Sequence, residues 1–208
     1  MTRSFATVLL FLAAIAGAEE ARFTYLSADR IEYQSDVERS VWDVQGWYGT
    51  DLHRLWWKLE GSNASDTDNE LQLLYSRAVS PYFDAQIGVS VADNPADTDT
   101  AFVIGIMGLA PYNIEIDIAA SVNTDGDYQL HGEFTHDIRF SEHFVLQPRL
   151  ELRARSAAED QAALEMRLRY EINRNIAPYL GLSWQNHFND SAPGDATTVF
   201  IAGLGFWF

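Results

Sequence analysis

One periodicity constrains this chain more than any other feature. From Phe23 to Phe208, apolar and polar residues alternate in run after run, with polar breaks between the runs. A period of two belongs to β-strands with chemically different faces. The clearest run sets Ile114, Ile116, Ile118, Ala120 and Val122 against Glu115, Asp117, Ser121 and Asn123. Other runs set Leu55, Trp57 and Leu59 against Arg54, Trp56, Lys58 and Glu60, or Leu146, Leu150 and Leu152 against Gln147, Arg149, Glu151 and Arg153. The first run groups Phe23, Tyr25, Ile31 and Tyr33 on one face and Arg30 and Glu32 on the other. In the run at 102–107 both faces are apolar.

About twelve such runs can be marked, most of them ~9–11 residues long, the length that crosses a bilayer when tilted. The breaks alternate as well. "TDLH", "VSP", "AP", "FSEH" and "NRNI" are short; "SDVER", "SNASDTDN", "ADNPADTDT", "NTDGD", "SAAEDQ" and "NDSAPGDAT" are longer and acid-rich. Tight turns at one end and longer loops at the other are the plan of outer-membrane barrels. The expectation is therefore an all-β fold, an antiparallel transmembrane β-barrel of about 12 strands.

A soluble barrel or sandwich would also alternate, with the apolar face inward. Three features weigh against it. Twelve strands make a barrel too wide for its own side chains to fill, which suits about eight. The polar faces carry both signs at close range, as at Arg149, Glu151 and Arg153, which suits an enclosed, ion-paired lumen. The chain also ends in Phe on an alternating run.

Pro-Tyr recurs at 81–82, 111–112 and 178–179. The expected location is the short periplasmic turns, with each proline entering a strand and each tyrosine at the membrane–water boundary.

Residues 1–18 read as a signal peptide: Arg3, an apolar stretch from Phe5 to Ala16, then Ala16-Gly17-Ala18 before Glu19. A membrane-anchoring helix is the alternative, but the stretch is short for one. The barrel is then expected over residues 19–208. There is no cysteine, so disulfides and thiolate metal sites are excluded. The net charge of −16 argues against a nucleic-acid partner and favours cations.

No enzyme motif is present: no G-x-S-x-G, phosphate loop, H-E-x-x-H or complete EF-hand loop. The chain is read as not an enzyme, with a barrel hydrolase of dispersed residues as a lesser alternative. A candidate metal set is Met107, Glu115, Asp117, His131 and Glu133, which face the lumen from consecutive runs. Strands lie about 4.8 Å apart, so side chains at one height could meet around an ion. Thioether and imidazole suit copper, and carboxylates suit harder ions. The competing reading pairs these groups with arginines such as Arg139, Arg149 or Arg167. The acidic stretches 65–70 and 96–100 are either solvated loops or a cation-attracting rim, which could also dock to divalent ions on lipid phosphates.

In "ADRIEY" (28–33), "WDVQGWYGTDLHRLWWKLEG" (42–61), "ELQLLYSRAVSPYFDAQIGV" (70–89), "GLAPYNIEI" (108–116), "LQPRLEL" (146–152), "RLRYEINRNIAPYLGLSW" (167–184) and "VFIAGLGFWF" (199–208), the chain resembles the copper-resistance protein B family. The resemblance implies an outer-membrane barrel in contact with outer-membrane lipid, tied to copper tolerance by export or sequestration of the ion. Typical members carry a Met- and His-rich segment before the barrel. Between Glu19 and the first run this chain has none, so copper capture by it is not carried over, and a periplasmic copper-binding protein becomes a possible donor. The resulting expectation is passage of copper ions through a polar lumen. The alternative is a structural or adhesive barrel with a plugged lumen.

Overall fold

A computed structural model describes residues 21–35, 38–63, 69–93, 98–189, 192–193 and 196–208. The expected leader and most of the acidic stretches at 65–70 and 96–100 lie outside or at the margin of these residues. Twelve long strands run antiparallel: β1 Phe23–Gln34, β2 Arg39–Gly49, β3 His53–Ser62, β4 Asn69–Ala78, β5 Phe83–Asp93 and β6 Thr98–Ala110. They continue as β7 Ile114–Asn123, β8 Tyr128–His136, β9 Phe144–Arg155, β10 Asp160–Tyr170, β11 Ile176–Asn189 and β12 Thr197–Trp207. Each pairs with its neighbours in sequence, and β12 pairs with β1 through Ser27↔Trp207 to Gln34↔Ile201, so the sheet closes. Closure leaves no free edge, as a bilayer demands.

The alternation becomes an inside and an outside. Leu55, Trp57, Leu59, Ile87, Val89, Ile104, Ile118, Leu164 and Leu182 stand exposed on the outer wall. Ser76, Gln86, Glu165, Arg167 and Ser183 are buried in the lumen. This is inverted relative to a water-soluble protein and matches a chain solvated by lipid. Exposed Tyr48, Tyr75, Phe144 and Tyr170 mark one end of the belt; Tyr33, Tyr128, Phe188 and Phe200 mark the other. Aromatic rings at both interfaces are anchors of the same kind.

Connections 50–52, 79–82, 111–113, 137–143 and 171–175 form the turn end, and the alternate connections form the loop end. The length contrast is weaker than expected because strands extend into the acid-rich breaks: Asn69 pairs with Asp93 and Thr98 also pairs with Asp93. The 137–143 connection is long for its end. Ile138–Arg139 bridges to β9 after β8 has stopped at His136, so the alternation of Tyr128, Leu130, Phe134 and Ile138 is not one continuous strand. At the loop end, Asn123 Oδ1 accepts from the Asp125 and Asp127 amides, and Gly126 takes the left-handed φ of 91° that this turn requires.

Two expectations are corrected. A β-bulge in β1, between Ala28 and Arg30 against β2, shifts the parity of the strand. Tyr25, Ser27 and Asp29 face inward before it, and Arg30, Glu32 and Gln34 after it; Tyr25 therefore does not share a face with Ile31 and Tyr33. The extra residue re-aims the chain and brings Asp29 and Arg30 together into the lumen. The Pro-Tyr pairs also divide. Tyr82 and Tyr112 are exposed at turns, as expected. Pro178 instead lies within β11, and Tyr179 is 4% exposed, with its hydroxyl donating to Glu32 Oε2 at 3.1 Å.

Candidate functional site

The lumen is filled unevenly. Trp56, Leu74 and Val103 form a small apolar cluster on the inner wall, extended by Tyr25, Trp47, Met107 and Ala119. The Trp47 and Trp56 rings lie 6.3 Å apart, and the Arg54 guanidinium sits 4.8 Å over Trp47. Opposite them, β9 and β10 carry a dense charge network. Arg149 reaches Glu133 at 2.6 Å, Glu151 at 3.4 Å and Glu165 at 3.4 Å. Arg30, exposed to the lumen by the bulge, lies 3.3 Å from Glu165, which also pairs with Arg167. Arg153 holds Glu151 at 2.6 Å and Glu60 at 3.0 Å.

All five candidate metal residues line one turn-end cavity of 900 Å³. Met107 on β6 stands directly opposite Asp117 on β7, and Asp117 opposite Glu133 on β8. These three share one level. Glu115 sits a step toward the turn end, opposite Thr135, and His131 a step toward the loop end, opposite Ala119. The register thus joins Met107, Asp117 and Glu133 in one row, with Glu115 and His131 flanking it.

Each group has its own surroundings. Met107 Sδ accepts from Gln86 Nε2 at 2.9 Å. Asp117 Oδ2 takes the Lys58 ammonium from across the lumen, while its buried Oδ1 has no hydrogen-bond partner among the described residues. Glu133 is held by Arg149, and His131 Nε2 lies 3.6 Å from Glu151 Oε1. Glu115 makes no ion pair among the described residues. The expected competition with arginine is therefore realised for Glu133, through Arg149. Arg167 goes to Glu165 and Glu32, and Arg139 to Glu171.

Among the described residues, no three His, Asp or Glu side chains converge to enclose a metal ion. The arrangement offers successive single oxygen, nitrogen and sulfur groups along a wall. The cavity sets eight acidic residues, including Asp29, Asp43, Glu60 and Asp84, against Arg54 and Lys58. Enclosed walls focus such a field and raise the local cation concentration. A second cavity of 620 Å³ opens at the loop end; Asp43 and Glu60 line both. Sequence parity puts Lys58 and Glu60 on the polar face of one run, yet their part in the site depends on opposite walls meeting, which no local pattern encodes.

Comparison with known proteins agrees with this architecture. In fold, the chain is similar to the NanC porin, at TM-score 0.58 and 12% identity, covering 88% of this chain and 99% of the other. It is likewise similar to the KdgM porin, at TM-score 0.53 and 13% identity, covering 88% and 99%. In sequence it is 34% identical over 200 residues to copper resistance protein B of Escherichia coli, covering 86% of this chain and 68% of the relative. It is 29% identical over 205 residues to the copper resistance protein B homolog of Pseudomonas syringae pv. tomato, covering 89% and 70%. The family model described as copper resistance protein B precursor (CopB) matches residues 22–208. This outer-membrane barrel belongs to the copper resistance protein B family.

Proposed function

We propose that this outer-membrane copper-resistance protein passes copper ions through its lumen, entering by the acidic turn-end cavity. The observation that supports it most is the shared cavity wall of Met107, Glu115, Asp117, His131 and Glu133. Conduction needs sites that attract an ion and also release it. Single ligands spaced along a wall suit that need better than an enclosing cage. Thioether and imidazole bias the route toward copper, and the carboxylates supply the field. On this reading the turn end faces the periplasm, where a copper-binding protein could deliver the ion. No bond-making chemistry is involved, and the protein acts as a conduit, not an enzyme.

The experiment is copper tolerance and cellular copper content with Glu115→Gln, Asp117→Asn and His131→Gln combined. At equal outer-membrane levels, the triple variant should lose tolerance and retain more copper under load. Wild-type tolerance would overturn the route.

A second reading, a structural or adhesive barrel, is favoured by one observation. The Glu60–Arg153 ion pair crosses the lumen between the two cavities. Absence of conductance in planar bilayers, together with binding that depends on the loops, would support it over passage.

A further inference from the structure

Lys58 is the only lysine in a chain that carries thirteen arginines. It is not at the surface. It projects inward from β3, is 8% exposed, and lines the turn-end cavity. Its partners on its own wall are neutral: Gln45 stands opposite on β2 and Gln72 on β4. Its ammonium instead spans to Asp117 on β7, which is in the candidate row with Met107 and Glu133.

The other deeply placed cations are bound differently. Arg149 is shared among three carboxylates and Arg153 between two. A guanidinium in several pairs is locked by its fork geometry, whereas an ammonium on a four-carbon stem is a mobile point charge. Among the described residues, Lys58 has one ion pair, and the second oxygen of that carboxylate is buried without a hydrogen bond. Asp117 therefore holds one cation and has unused capacity for another.

Resting on the passage reading above, we infer that Lys58 is a tethered counter-ion that determines which cations pass. It occupies Asp117 when the lumen is empty. Hydrated monovalent ions, which bind a carboxylate weakly, do not displace it. A copper ion, attracted by Asp117 together with Met107 and Glu133, does, and the ammonium swings back toward Gln45 and Gln72. The exchange moves no electrons and breaks no covalent bond; one cation replaces another.

Two measurements on the full-length protein test this. In planar bilayers under a KCl gradient, Lys58→Met should raise K⁺ conductance about tenfold, since enclosed acidic walls then act on mobile cations unopposed. Its reversal potential should move toward that of K⁺, while Lys58→Arg stays at the wild-type value. In the wild-type barrel, where Lys58 is the one side-chain amine, a copper salt should accelerate its acylation severalfold, read by mass spectrometry. Potassium chloride at equal ionic strength should not. Unchanged conductance in a folded Lys58→Met barrel, or acylation indifferent to copper, overturns the inference; the acylation readout decides if Lys58→Met does not fold. Copper flux into vesicles holding the wild-type barrel separates the two readings. Flux with indifferent acylation rejects Lys58 and keeps passage, whereas copper-accelerated acylation without flux keeps the exchange and rejects passage.

Discussion

Glu60 on β3 and Arg153 on β9 meet across the whole barrel, Oε2 to Nη2 at 3.0 Å. Five strands lie between them in either direction around a ring of twelve, so they belong to opposite walls. Their contact lies where the loop-end and turn-end cavities adjoin, since Glu60 lines both. The pair therefore braces the barrel and narrows its lumen at once.

That double role can be separated by a double-mutant cycle. Both side chains keep about a quarter or more of their surface, so water screens the pair and its coupling should be about 1 kcal/mol. Arg153→Gln alone should cost more than Glu60→Gln alone, because Arg153 also holds Glu151. Urea unfolding of the barrel in lipid vesicles would give the coupling, and bilayer conductance should rise in both single variants. Zero coupling with unchanged conductance would remove both roles from the pair.

Arg149 makes a sharper case. It is 4% exposed and lies between Glu133, Glu151 and Glu165. Glu133 and Glu151 are direct cross-strand neighbours, a like-charge arrangement that is unfavourable without a shared cation. Arg149→Met should destabilise the barrel by about 3–5 kcal/mol, the usual cost of orphaning buried charge. Arg149→Lys should recover less than half of this, because one ammonium cannot reproduce the fork. Full recovery by lysine, in the same unfolding assay, would mean that net charge alone matters.

Most of the barrel was legible because lipid on one side and an enclosed lumen on the other impose the same two-residue rule on every strand. Ile114–Asn123 needed no more than its own alternation. The run 102–107, apolar on both faces, also resolved simply: Phe102, Ile104 and Ile106 face outward, while Val103 joins the apolar cluster inside. Parity failed at β1, where the bulge at Ala28–Arg30 adds one residue and flips the rest, and local composition carries no mark of it. The candidate row was legible to the extent that register is local: Met107, Asp117 and Glu133 sit on adjacent strands. Lys58 with Asp117, and Glu60 with Arg153, were not, because those contacts cross the lumen between strands far apart in the ring.

Tyr179 offers a third test, built on the Pro-Tyr pair that did not sit at a turn. Its ring lies against Gly203, where an added Cβ would come 2.4 Å from the ring and hydroxyl atoms. Gly203→Ala must therefore displace Tyr179 and break its hydrogen bond to Glu32. The expected loss is about 1–3 kcal/mol, the range for overpacking a closed site. Tyr179→Phe should lose only the hydrogen bond, about 1–3 kcal/mol if the Glu32 carboxylate is left unsatisfied. The two losses should not add in the double variant, because both act through one ring. Additive losses in urea unfolding would show that Gly203 is needed for some other reason.

If the lumen passes copper as proposed, Met107 separates copper chemistry from general cation attraction. Its sulfur lies in the acidic row, accepts from Gln86, and packs against the Trp56 cluster. Met107→Leu conserves volume and so should cost under about 1.5 kcal/mol of stability. It leaves Asp117, Glu133 and Glu115 in position, and the field that draws cations is unaltered. On the passage reading, what it removes is the soft ligand, which favours Cu(I) over harder ions. In vesicles holding the purified barrel, Cu(I) flux should fall severalfold while K⁺ conductance remains at the wild-type value. Equal loss of both fluxes would identify Met107 as packing that shapes the lumen, and unchanged Cu(I) flux would assign the selectivity to the carboxylates and His131 alone.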